Sequence, residues 1–129
     1  MALQFNIDFD PADDTTGFQS RLVYEPYHSQ PVLSEVWQTW DTLDPAQGNG
    51  TGNWWLVRQA APNTSASCPQ SATSTWDEVL AAFPAMRVHP DAGAVLFKAG
   101  GGWAGFDGNV DGFAIGLEGR PLRVFNCEN

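Results

Sequence analysis

The chain opens on strict alternation: Leu3, Phe5, Ile7 and Phe9 are apolar, and Gln4, Asn6, Asp8 and Asp10 between them are polar. Successive side chains of a strand point to opposite faces, so this period of two predicts a strand with one buried face. Pro11 to Gly17 ends it. A second strand is expected over Phe18 to Glu25, where Phe18, Ser20, Leu22 and Tyr24 alternate with Gln19, Arg21, Val23 and Glu25. Pro26 and Pro31 then bracket a loop that holds His28. Val32 to Trp40 fits a third strand. The turn-rich run Asp44 to Asn53 feeds another from Trp54 to Ala60, and residues 61–74, rich in Pro, Ser, Thr and Asn, form the least regular stretch.

One helix interrupts the strands. Thr75-Trp76-Asp77-Glu78 is a capping box, in which the Thr hydroxyl and the Glu carboxylate satisfy reciprocal backbone amides. Trp76, Val79, Leu80 and Phe83 follow at helical spacing as one apolar stripe, and Pro84 stops the helix. Strands resume at Ala94–Ala99, Val110–Leu117 and Leu122–Cys127, with Phe113, Ile115 and Leu117 on one face of the second. About seven to nine short strands, one helix and no βαβ alternation predict a single domain over residues 1–129: an all-β, antiparallel β-sandwich of jelly-roll or lectin-like type with one short helix.

Composition sharpens this picture. Six Trp and eight Phe carry the hydrophobicity on large rings, and the one Lys, Lys98, among many Asn, Gln, Ser and Thr residues points to a secreted or cell-surface setting. A net charge of −9 repels phosphate backbones and anionic lipid, which excludes nucleic acid and membranes as expected partners. No apolar run approaches the roughly 18 residues of a membrane span. Met1-Ala2 leads straight into the first strand with no signal-peptide pattern, so the native N-terminus is expected to be missing, through excision of a module with an added Met-Ala or through removal of export information, the alternative being a cytosolic protein. Cys68 and Cys127 either pair, closing a loop of about 60 residues at a gain on the order of 4 kcal/mol, or stay as free thiols. Neither belongs to a zinc motif.

The residues Tyr24-Glu25-Pro26-Tyr27, Trp37-Gln38-Thr39-Trp40-Asp41, Trp54-Trp55, Thr75 through Leu80, Phe97-Lys98-Ala99-Gly100 and Gly108-Asn109-Val110-Asp111 together resemble β-sandwich modules of bacterial, notably actinobacterial, secreted and surface proteins. They resemble jelly-roll carbohydrate-binding modules more loosely. The likeness spans residues 20–119 and implies fold and location more than ligand. Such modules often carry a second Cys just before the Thr-Trp of the helix; its absence here leaves Cys127 as the partner within the chain that the resemblance implies for Cys68.

Several motifs fall to their context. Asp107-Gly108-Asn109-Val110-Asp111-Gly112 with Glu118 matches the EF-hand loop, but a glycine run precedes it and an alternating strand follows, where flanking helices are required. A structural Ca2+ held at the corner of Asp107, Asn109 and Asp111 is the calcium reading that survives, set against a plain polar turn. Asp8, Asp10, Asp13 and Asp14 read as solvated loop charge rather than as a second calcium site. Gly100, Gly102 and Gly105 give GxGxxG without the helix a dinucleotide needs. His28 and His89 neighbour no nucleophile motif, and a carboxylate pair among Glu25, Glu35 and Asp41 is not revealed by spacing, so no enzyme is expected.

The tryptophans carry the functional expectation. A sugar's C–H face stacks on an electron-rich ring while its hydroxyls bond to amides and carboxylates. On alternating strands Trp37 and Trp40 have opposite parity, as do Trp54 and Trp55, so one of each pair should face away from the core. Trp40 shares parity with Val36 and reads as internal, leaving Trp37 outward; Trp54 against Trp55 stays open. The competing view is that all the rings are core. The expected function is therefore a non-catalytic extracellular module that binds a glycan or cell-surface polymer. Trp37, Trp54 or Trp55 would be the platform, with Gln38, Asp41, Asn53, Arg58 and Gln59 as hydrogen-bonding partners. The alternative is an adhesive surface subunit that assembles into a homo-oligomer or fibre through its edge strands.

Overall fold

The computed structural model describes residues 1–12, 17–28, 31–43, 52–57, 67–98, 107–117 and 119–127. Within them the chain forms β1 (Ala2–Asp8), β2 (Ser20–Tyr24), β3 (Trp54–Leu56), α1 (Trp76–Ala82), β4 (Arg87–Val88), β5 (Val95–Lys98), β6 (Phe113–Ile115) and β7 (Arg123–Phe125), with a 3-10 turn at Pro26–His28. The strands lie in antiparallel sheets, so the chain is all-β with one short helix.

β1 is the centre of a five-stranded sheet. One edge takes β2, with Leu3 opposite Tyr24 and Phe5 opposite Leu22, and β2 in turn takes β3, with Leu22 opposite Leu56 and Tyr24 opposite Trp54. Directly paired residues share a face. One face therefore presents Leu3, Phe5, Ile7, Leu22, Tyr24, Trp54 and Leu56, as the alternation dictates. Helix α1 covers it: Val79 and Phe83 are buried, Phe83 meets Phe9 at 5.2 Å and Trp76 meets Trp54 at 5.0 Å between ring centres. The capping box forms in full, Thr75 accepting from the Glu78 amide while Glu78 accepts from the Thr75 amide.

The other edge of β1 takes β5 against residues 2–5 and then β4 against residues 7–8. Between them the chain leaves the sheet and returns, closed by Asn6: its carbonyl accepts from His89 N, its amide donates to Ala94 O, and its side chain donates to Ala92 O. His89 is buried inside this excursion, and its Nδ1 accepts from the amides of Asp91 and Ala92 at 3.1 and 2.9 Å. The ring proton therefore sits on Nε2. This histidine organises a loop.

Two expectations change. Val32 to Trp40 is not a strand: Glu35 adopts φ 59°, and the Gln38 side chain bonds both Leu33 N and Pro31 O, replacing a strand partner with a local one. Cys68 and Cys127 are both free thiols, Cys68 buried with its Sγ donating to Trp54 O and Cys127 exposed, so the expected bridge is not formed. The strand expected from Trp54 shortens to three residues before Val57, its further part falling outside the described residues. Among the described residues β6 and β7 pair with each other only, as a ribbon that meets the main sheet where Phe113 packs edge-on to Phe97 at 5.1 Å.

Candidate functional site

The end of β2 lies beside the start of β3, and on the face opposite Tyr24 and Trp54 the fully buried Val23 lies directly across from Trp55, which is half-buried and packs against the core cluster. Glu25, two residues beyond Val23, stays on that side; its amide donates to Asn53 O and extends the pairing by one step. The 3-10 turn then folds Tyr27 and His28 back over it, with His28 N donating to Glu25 O. The outcome is a cluster centred on one carboxylate oxygen. Glu25 Oε2 receives Trp55 Nε1 at 3.0 Å, Gln70 Nε2 at 3.1 Å and His28 Nε2 at 3.1 Å. Gln70 reaches it from a turn closed by Ala72 N on Pro69 O.

The Tyr27 ring stacks on the His28 ring at 4.2 Å and is 41% exposed. Partial burial, then the neighbouring Glu25 charge and a hydrogen bond to it, holds the Tyr27 hydroxyl above the ordinary phenol range, with Gln70 opposing. Glu25 and His28 are themselves mostly buried, their side chains 16% and 20% exposed. Two aromatic rings and an imidazole therefore surround a carboxylate whose polar partners come from the Pro26–His28 turn, β3 and the 67–72 segment. Such an arrangement supplies a flat apolar surface and a fixed acceptor at its rim.

The structure divides the residues singled out above. Trp54 is in the core at 3% exposure, its Nε1 donating to Thr42 O, and Asn53 is buried with its Nδ2 on Tyr24 Oη. Trp55 lies half-buried in the Glu25 cluster. Trp37 is 65% exposed on the 31–43 loop, whereas Trp40 packs against the core. Asp41 is exposed and caps Leu43 N. Arg58 and Gln59 lie outside the described residues.

At the calcium corner Asp107, Asn109 and Asp111 are exposed, and one oxygen of Asp111 accepts from Cys127 N at 2.9 Å, tying the start of β6 to the end of β7. Among the described residues no group of three or more His, Cys, Asp or Glu side chains is placed to hold a metal. Asp8, read as solvated, is buried: Arg87 donates to its Oδ2 through Nε and Nη2 at 3.1 and 3.0 Å, and its Oδ1 caps Asp10 N.

Glu25, Tyr27, His28 and Gln70 were not singled out together by sequence pattern. Glu25 and Trp55 share a face by parity, which is legible, but Gln70 sits in a stretch without periodicity. Comparison with protein-family models finds no match, and comparison with curated proteins and with solved structures likewise finds none. Function is then read from the chemistry of the site itself.

Proposed function

We propose that the chain is a non-catalytic, secreted or cell-surface binding module of β-sandwich type that recognises carbohydrate through exposed aromatic rings. One observation carries this reading: the half-buried Trp55, on the opposite face of β3 from Trp54, is tied to Glu25 beside the Tyr27–His28 stack, whose Tyr27 is exposed. A sugar ring lying on Tyr27 would place its hydroxyls at the Glu25–Gln70 rim. Trp37, on its separate loop, offers a second ring to a longer chain of sugars. The contact of Phe113 with Phe97 on β5 supports reading the β6–β7 ribbon as the start of a second layer. Calcium at Asp107, Asn109 and Asp111 is proposed as a structural ion only, and no step of binding depends on it.

A glycan array tests the proposal. The wild-type chain is expected to bind a defined set of glycans, and Trp55→Ala and Tyr27→Ala each to weaken that binding by about tenfold, the equivalent of ~1.4 kcal/mol. Unchanged binding in both variants, or no glycan bound by the wild type, contradicts it.

A second reading has its own support. Every residue of β5 is exposed, and the ribbon leaves Leu117, Leu122, Val124 and Phe125 open to solvent. Exposed edges and apolar ribbons invite pairing with further copies, which supports an adhesive subunit that self-assembles.

A further inference from the structure

The donors around Glu25 are neutral with one exception. Trp55 and Gln70 hold its Oε2 and Tyr27 shares the hydrogen bonding, none of them cancelling the charge; of these partners His28 alone can become a cation. The carboxylate is mostly withdrawn from water, with the Tyr27 and His28 rings and the Trp55 indole beside it. A carboxylate held in a partly dehydrated corner attracts an ammonium group more strongly than one in open water does. The net charge of −9 draws cations toward the surface and repels anions.

Building on the carbohydrate reading, we infer that the Glu25–Tyr27–Trp55 cluster selects glycans that bear a free amino group, of the glucosamine type, over their N-acetylated and uronic-acid counterparts. The sugar ring stacks on Tyr27, and its ammonium group takes the place of His28 at Glu25. An N-acetyl group offers no charge there, and a uronate is repelled.

Isothermal titration of the full chain with short oligomers of glucosamine, N-acetylglucosamine and galacturonate tests this. The glucosamine oligomer is expected to bind about tenfold tighter than the acetylated one, and the galacturonate oligomer weakest. Glu25→Gln, whose fold is checked by circular dichroism, brings the first two together. His28→Asn, which removes the imidazole that the ammonium group displaces, widens the gap. In the wild type, added salt weakens the glucosamine oligomer and spares the acetylated one, a readout that needs no variant. Equal or tighter binding of the acetylated oligomer overturns the inference and leaves the carbohydrate reading standing. Failure of all three to bind overturns the inference, while the glycan array decides the carbohydrate reading separately. A trilysine peptide that matches the glucosamine oligomer shows recognition of charge without sugar and also overturns the inference.

Discussion

At Gly52 the backbone passes so close to Ser74 that a Cβ would lie 2.1 Å from its carbonyl carbon, and φ is +71°. Both facts demand glycine, and both serve the site, since Gly52 leads directly into the strand that carries Trp54 and Trp55. Gly52→Ala is expected to cost ~3 kcal/mol or more in urea unfolding, from backbone strain and overlap together. Asp8 gives a second residue-scale expectation. Its carboxylate is buried while Arg87 is about half exposed, so Arg87→Ala strands a buried charge that solvent only partly reaches. A loss of ~1–2 kcal/mol in urea is expected, below the figure for a fully buried pair. The thiols separate as sharply. Burial pushes the Cys68 thiol up from its ordinary value, and Cys127 is exposed. A chromogenic disulfide reagent should therefore titrate one fast thiol, Cys127, with Cys68 reacting only on unfolding; zero thiols in the unfolded chain would contradict the free pair.

At the scale of elements, α1 is a seven-residue helix, too short to persist alone, held by its cap and by the face it buries. Thr75→Ala is expected to lower stability by ~1 kcal/mol, read as a shift in the urea midpoint at unchanged slope. His89→Ala releases the two amides that its ring accepts and should cost ~2 kcal/mol by the same measurement. These elements differ in how far sequence exposes them. β1 and the capping box are local patterns: alternation and a Thr-x-x-Glu spacing each carry their own physical cause, and both form where the pattern places them. The 31–43 loop shows the limit. Val32, Val36 and Trp40 fit a strand's apolar positions, yet a side-chain amide from Gln38 and the turn at Glu35 outcompete an extended ladder. β4 is two residues long and exists only because Ile7 and Asp8 offer an edge beyond the His89 excursion; no local signal marks it. The Glu25 cluster is legible in half. Parity sets Trp55 beside Glu25, but which of Trp54 and Trp55 faces the core depends on the pairing with Tyr24 and Val23 across the sheet.

For the whole molecule, charge and apolar surface are unevenly distributed. Residues 1–94 carry eleven acidic against three basic residues, whereas Val95 to Cys127 carries three of each. That nearly neutral segment also holds β5 and the ribbon, with Leu117 at 69% and Val124 at 65% exposure. Two-stranded ribbons are marginal in water without a surface to cover them, and if copies pair as the second reading proposes, this segment brings them together with least repulsion. Light scattering over a wide concentration range is expected to show a mass rising above the 14.0 kDa of one chain, and Val124→Lys to abolish the rise. A constant single-chain mass retires the self-assembly reading and leaves the ring-centred site untouched.

The claim that ligand recognition belongs to the indole tied to Glu25 is tested most directly by nuclear magnetic resonance. The measurement is a titration of the chain with an array-selected oligosaccharide while the side-chain indole N–H signals are followed. The Trp55 signal, tied to Glu25, should shift in a saturable way while that of Trp54, bonded to Thr42 in the core, stays in place. A Trp55 signal that does not move when the sugar binds, or a shift confined to Trp54, would contradict the account.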